Sequence, residues 1–243
     1  MSEEKADSRT TAHGSRLTAH GSALSSVLAV AAKDATAELR RRTALVAVLF
    51  FAVTALALVS FAIGPFGLPA DDRPPVQAAL LWIILFFAAA TGLPRAFAHE
   101  EETGTALALR KTLPAARVLA GKTLFNFGLF LAIAAVTVPG FGVLLEARAG
   151  SPAGLAATVL AGGYGLAVVS TFLSALSARA GQRHVLFVLI AFPLLSPLLL
   201  TAISATMEAL RGGFPGTPLR VLIAYDGAAT CAAYLLAGVA WEE

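Results

Sequence analysis

Charged side chains are scarce in this sequence. Asp, Glu, Lys and Arg together make up 14% of its 243 residues, whereas hydrophobic residues make up 57%. Soluble globular domains carry about 25% charged and about 45–50% apolar residues, and disordered chains are poorer still in apolar residues. The composition therefore excludes a water-soluble globular enzyme and a disordered protein. It predicts a helical protein that crosses the membrane several times.

Cysteine is almost absent. The single cysteine, Cys231, lies in an apolar run and has no second cysteine in the chain to pair with. We expect it to be a small, buried, apolar side chain. Histidine is also rare, and His13 and His20 fall in a repeated Thr-Ala-His-Gly-Ser within the polar N-terminal stretch. Metal binding is one interpretation of this repeat, but we predict that residues 1–25 form a disordered, solvated tail.

Six long apolar segments dominate the rest of the chain. Each could cross a hydrocarbon core of about 30 Å as an α-helix, and none alternates polar and apolar residues as a membrane strand would. We therefore predict an all-α polytopic membrane protein with six transmembrane helices. The predicted spans are about Ala44–Ile63, Val76–Leu93, Thr123–Leu145, Gly154–Ala178, Val185–Met207 and Leu219–Trp241.

A helix is also predicted before the first span. Residues 26–42 are rich in Ala, Leu, Glu and Arg, which favour helices, and they end in three arginines directly before the apolar run. One face of this helix is weakly apolar, and we expect the helix to lie with that face in the membrane interface. That face consists of Leu28, Ala31, Ala35 and Leu39.

The basic residues indicate the orientation of the spans. The net charge is only +3, and the Lys and Arg residues do not form one patch, so nucleic acid is not an expected partner. Of the 18 Lys and Arg residues, 11 lie near the membrane on the side of the chain termini, four lie on the other side, and three lie in the tail. By the positive-inside rule, the N- and C-termini are predicted to be cytoplasmic.

Few polar residues fall within the predicted spans. Asp226 is the only acid well inside one, and intramembrane acids are functional candidates by default. It lies about one and a half turns from the predicted outer boundary, so contact with interfacial water is an equal alternative. Asn126 and Gln77 are expected to form hydrogen bonds between helices. Pro193 and Pro197 are expected to kink the fifth span, either as a moving element or as fixed packing.

The connection over residues 94–122 is the one loop predicted to have structure of its own. Three acids end the extended second span, a Gly-Thr pair interrupts the helix, and a short helix with two basic residues follows. Such a helix, at about residues 100–118, suits docking to a cytoplasmic partner. An ordinary charged loop is the alternative. The candidate docking residues are Glu100, Glu101, Glu102, Gly104, Thr105, Arg110 and Lys111.

Several short motifs occur along residues 26–243. They are Lys33-Asp34 with Glu38-Leu39-Arg40, Arg95-Ala-Phe-Ala, Glu100-x-Glu102-x-Gly104-Thr105, Leu113-Pro114, Gly121-Lys122, Phe192–Leu198, Leu222–Asp226 and Glu242-Glu243. The loop motifs resemble the coupling-helix region of ABC-2-type transporter permeases, and the whole set most closely resembles the haem exporter protein B family of cytochrome c maturation. His99 stands where the family pattern would have a basic residue, and the 1–25 tail is additional.

The resemblance implies a non-catalytic membrane subunit of an ABC transporter complex in the bacterial inner membrane. A separate cytoplasmic ATPase, maturation protein A, would dock on the coupling helix. Two ATPase and two membrane subunits would assemble with the haem-handling membrane proteins C and D, so this chain would form a homodimer surrounded by membrane lipid. ATP hydrolysis would drive haem export or release of the haem-loaded periplasmic chaperone, maturation protein E. Haem is expected only as a transported or handled ligand, and no firmly bound cofactor or metal is expected.

The absence of an ATP-binding motif agrees with this division of labour. The sequence contains no Walker A pattern; Leu119–Thr123 ends in Gly-Lys-Thr but lacks the first glycine. ATP chemistry must therefore come from a partner.

Three other interpretations remain at this point. The first is an ABC-2 permease that exports a lipid, a glycan or a drug. The second is an intramembrane enzyme, which is disfavoured because the predicted spans hold one well-buried acid and no histidine. The third is a passive scaffold. Haem ligation by His99 or His184 is disfavoured because both lie on the predicted cytoplasmic side.

Overall fold

The polypeptide forms a bundle of long helices. The structure, a computed structural model, describes residues 24–40, 42–63, 67, 69, 71–92, 113–177 and 183–241, and the regular structure within these ranges is entirely helical. Six of the helices are long and apolar enough to cross a membrane, as the sequence predicts. The helices are α1 (24–40), α2 (Arg42–Ile63), α3 (Arg73–Gly92), α4 (Ala115–Leu144), α5 (Pro152–Ser177), α6 (Arg183–Leu210) and α7 (Gly216–Trp241).

Helix α4 is longer than its apolar segment. It begins at Ala115, after Pro114 in an extended conformation, and runs for 30 residues. At 1.5 Å per residue this is about 45 Å, against a hydrocarbon core of about 30 Å. The N-terminal turns of α4 therefore extend beyond the apolar layer on the side predicted to be cytoplasmic, which we call the inner side.

Helix α5 is the central helix of the bundle. Of its span, 67% is buried inside the protein, against 17% for α2 and for α7. It packs against α4, α6 and α7, while α3 packs against α2, α4 and α6. The small residues of α5 allow this close packing.

Two adjacent glycines of α5 make room for two aromatic rings. A Cβ atom at Gly162 would lie 2.4 Å from the Trp82 ring, and one at Gly163 would lie 2.1 Å from the Phe130 ring. The two rings stack with their centroids 6.3 Å apart, and the Trp82 indole N–H donates to Thr206 Oγ1 at 2.8 Å. Packing within one chain therefore accounts for this Gly-Gly pair.

At the outer end of the bundle, the turn before α5 is hydrogen-bonded to the end of α6. Ser151 caps α5, since its hydroxyl accepts a hydrogen bond from the Gly154 N–H, and Pro152 occupies the first helical position. The Ser151 N–H donates to the Ala209 carbonyl at the end of α6 at 2.9 Å. Gly212, with φ +97°, then turns the chain into α7.

The structure adds one detail to the sequence prediction and corrects another. Helix α1 is described over 24–40, where Leu28 and Leu39 of the predicted apolar face are exposed and Val30 is buried against the bundle. The interfacial position of this helix stays a prediction. Cys231 is also exposed and not buried as predicted, because it lies on the outward face of the peripheral helix α7.

Candidate functional site

The predicted docking loop joins α3 to α4. Helix α3 ends at Gly92 and α4 begins at Ala115, which makes this the longest connection between consecutive spans. Its role in docking stays a prediction. The candidate residues Glu100, Glu101, Glu102, Gly104, Thr105, Arg110 and Lys111 lie outside the described residues, as do His99 and residues 1–23 of the tail.

An ion pair joins the N-terminal part of α4 to α1. Lys122 Nζ is 3.1 Å from Asp34 Oδ2 of α1, and the Lys122 side chain is completely buried. Asp34 also lies 3.3 Å from the ammonium group of the neighbouring Lys33. A buried ammonium group without a partner would be strongly unfavourable, so this pair fixes α1 against α4.

Asp226 occupies the middle of the bundle. It lies ten residues into α7, about 15 Å from the start of the helix. Only 7% of the residue is exposed, and its Oδ1 atom has no hydrogen-bond partner among the described residues. This oxygen faces Gly165 of α5, where an added Cβ would lie 2.2 Å away, and Leu198 of α6 lies beside it. The functional role of Asp226 stays a prediction.

The residue before Asp226 contacts the proline-containing part of α6. The Tyr225 hydroxyl donates to the Leu194 carbonyl at 2.5 Å. Because Pro197 has no N–H, the Pro193 carbonyl loses its usual helical donor, and the Ser196 hydroxyl donates to it at 3.2 Å. Helix α6 continues through both prolines. Local and interhelical hydroxyl donors thus support this segment.

The two amides behave as the sequence predicts. Gln77 Nε2 donates to the Leu145 carbonyl at 2.9 Å, and Asn126 Nδ2 donates to Thr171 Oγ1 at 2.7 Å. Both bonds are buried; the first joins α3 to the residue that follows α4, and the second joins α4 to α5. Asn126 Oδ1 has no hydrogen-bond partner within the described part of the chain.

Openings lie along the described helices. A crevice of about 220 Å³ is lined by residues of α1, α4, α5 and α7, and a groove of about 490 Å³ runs between α4 and α5 near the outer end. The groove is lined by aliphatic residues, with no His, Cys, Tyr or Met among them to ligate haem iron. Across the described residues, no three His, Cys, Asp or Glu side chains are grouped as metal ligands would be.

Comparison with known proteins identifies the family. The family model described as CcmB protein matches residues 25–241, a range that takes in nearly all of the seven helices. The chain belongs to the CcmB protein family. The N-terminal tail lies outside the match, in agreement with its being additional to the family pattern.

Curated relatives of this CcmB-family chain carry the name heme exporter protein B. The one from Rhodobacter capsulatus is 30% identical over 192 residues, which cover 77% of this chain and 84% of the relative. The one from Bradyrhizobium diazoefficiens is 30% identical over 186 residues, covering 74% and 81%. The one from Paracoccus denitrificans is 29% identical over 180 residues, covering 72% and 80%.

The fold brings separate motifs of the CcmB-family chain together. Lys33-Asp34 meets Gly121-Lys122 at the inner side, and Leu222–Asp226 meets Phe192–Leu198 in the middle of the bundle. All four motifs are visible in the sequence, but nothing in the sequence indicates which of them contact each other. The one sign of a buried ion pair in the sequence is Lys122, a single lysine directly before an apolar run.

Proposed function

We propose that this chain is the membrane subunit of an ABC transporter complex for cytochrome c maturation. The family match over residues 25–241 carries this proposal, because it includes every predicted span and the docking loop. The names of the relatives, which refer to haem export, support it. The chain would be a multi-pass protein of the bacterial inner membrane with both termini cytoplasmic.

In this proposal the energy comes from a separate ATPase, maturation protein A. The sequence has no Walker A motif, so the chain would act as a permease subunit without catalytic activity. The ATPase would dock on residues 100–118, with the acidic run at Glu100–Glu102 and the basic pair Arg110 and Lys111 as its contacts. The two charge signs, close together in one loop, suit a polar protein interface.

Haem would be a substrate and not a resident cofactor. The apolar groove between α4 and α5 has no side chain for ligating iron, so iron ligation there would have to come from another protein. We therefore place the haem-handling membrane proteins C and D beside a homodimer of this chain. The energy of ATP hydrolysis would drive haem export or free the haem-loaded periplasmic chaperone, maturation protein E.

Deletion followed by complementation tests this function. Loss of the chain should abolish covalent haem staining of c-type cytochromes, and expression of the wild-type chain should restore it. Cytochromes of other types, with non-covalent haem, serve as the control for general haem supply. Normal c-type cytochromes in the deletion strain would contradict the proposal and favour a permease for a lipid, a glycan or a drug.

A further inference from the structure

The buried ammonium group of Lys122 is unusual in this bundle. In the part of the chain that the structure describes, Lys122 is the one lysine or arginine that is buried. It lies 22 residues before the end of α4 at Leu144, a distance of about 33 Å. It is therefore at the inner boundary of the apolar layer, where a lysine could extend its side chain to water. Instead it points to Asp34 of α1.

A close backbone contact lies next to this pair. A Cβ atom at Gly121 would lie 2.6 Å from Val30 Cβ and 2.9 Å from the Val27 carbonyl oxygen of α1. Val30 is 3% exposed, so the contact excludes water. Only glycine permits the two helices to approach this closely, and the ion pair then fixes their register. Helix α1 is therefore held to α4 by two adjacent contacts, the Gly121–Val30 packing contact and the Asp34–Lys122 ion pair.

The joined helices lead to different spans. Helix α4 begins at Ala115, within the 94–122 connection that is predicted to dock the ATPase, and α1 leads almost directly into α2 at Arg42. A force applied to the loop reaches α4 through the chain itself. It reaches α1 through the Asp34–Lys122 pair and the Gly121–Val30 contact, whereas α2 also packs directly against α3 and α4.

We propose that Asp34 and Lys122 are positioning residues that join α1 to α4, so that an ATPase-driven movement of the 94–122 loop is passed to the first span as well as the third. This inference rests on the proposed function. The pair stays closed during the cycle, because separating it would move the buried Lys122 ammonium group away from a carboxylate oxygen that lies 3.1 Å from it. Its loss should uncouple ATP hydrolysis from cytochrome maturation without preventing assembly.

Asp34→Asn and Lys122→Gln test the pair in the full chain, expressed with the ATPase and the other maturation proteins. We expect the ATPase to co-purify and its hydrolysis rate per complex to stay within about twofold of wild type, while holo-cytochrome c falls about fivefold or more. The reversed pair, Asp34→Lys with Lys122→Asp, should recover most of the yield. Asp34→Glu, which keeps the charge, should retain it.

Asp71→Asn is the matched control, since it removes an exposed acid from the outer connection and should change nothing. If Lys122→Gln fails to accumulate, the comparison of Asp34→Asn with Asp34→Glu carries the test.

The inference is overturned by a wild-type yield of holo-cytochrome c per molecule of Asp34→Asn. It is also overturned if ATP hydrolysis and yield fall together, or if the reversed pair is no better than the single variants. Failure of the proposed function is distinguishable, because the wild-type chain would then not alter holo-cytochrome c at all.

Discussion

At the scale of single residues, Asp226 presents the sharpest question. Its side chain is enclosed by α5, α6 and α7 within a predicted span, and its Oδ1 atom accepts no hydrogen bond within the described structure. An acid at the centre of a membrane helix costs about 2.5–3.5 kcal/mol on insertion scales. Packing alone does not need a carboxyl group here, because an amide of the same shape would fit.

Asp226→Asn should therefore separate function from packing. We expect the variant to reach the membrane at the wild-type level, to melt at the same or a higher temperature in detergent, and to give less holo-cytochrome c. The physical reason is that the amide removes the cost of an acid in the apolar layer but also removes the proton-exchanging group. A full yield of holo-cytochrome c would place Asp226 among the packing residues.

At the scale of helices, glycines of the bundle differ in what they face. Gly163 lies against the Phe130 ring, which is fully buried and cannot move aside, whereas Gly128 of α4 has open space beside it. The sequence shows both as glycines in apolar helices and does not distinguish them. The difference arises only when the helices pack.

Gly163→Ala and Gly128→Ala form a matched pair of variants. Gly163→Ala should lower the free energy of unfolding by about 1–3 kcal/mol, because the added methyl group overlaps the Phe130 ring. Gly128→Ala should leave stability unchanged or raise it by up to about 1 kcal/mol, since alanine favours the helix. Thermal unfolding in detergent measures both. Equal effects of the two substitutions would show that the Phe130 contact does not limit packing.

At the scale of the whole molecule, the orientation rests on the distribution of basic residues. The single cysteine makes it testable, because Cys231→Ala gives a chain without cysteine. Asp71→Cys and Thr36→Cys then place one exposed thiol on each predicted side. A membrane-impermeant maleimide should label Asp71→Cys in intact spheroplasts and Thr36→Cys only after permeabilisation. The reverse pattern would invert the topology and move the docking loop outside.

The sequence was sufficient for the number of spans but not for the contacts between them. Uncharged apolar runs define the membrane segments directly, whereas the inner turns of α4 contain Arg117 and Lys122, which lower the local hydropathy and hide the helix. Asp34 and Lys122 are 88 residues apart, so no periodicity links them. The same holds for Gly165 and Asp226, whose contact depends on how α5 and α7 pack.

The docking loop is the remaining element on which the assembly depends, and charge reversal tests it. Glu101→Lys with Glu102→Lys should abolish co-purification of the ATPase, because an interface selected for acidic groups would then meet like charges. Membrane insertion should be unchanged, since added lysines on the inner side agree with the positive-inside rule. Glu242→Lys with Glu243→Lys makes the same change in charge at the C-terminus and should leave ATPase binding intact. Retention of the ATPase by the Glu101/Glu102 variant would contradict docking at this acidic run, and its loss from both variants would indicate a general effect of charge.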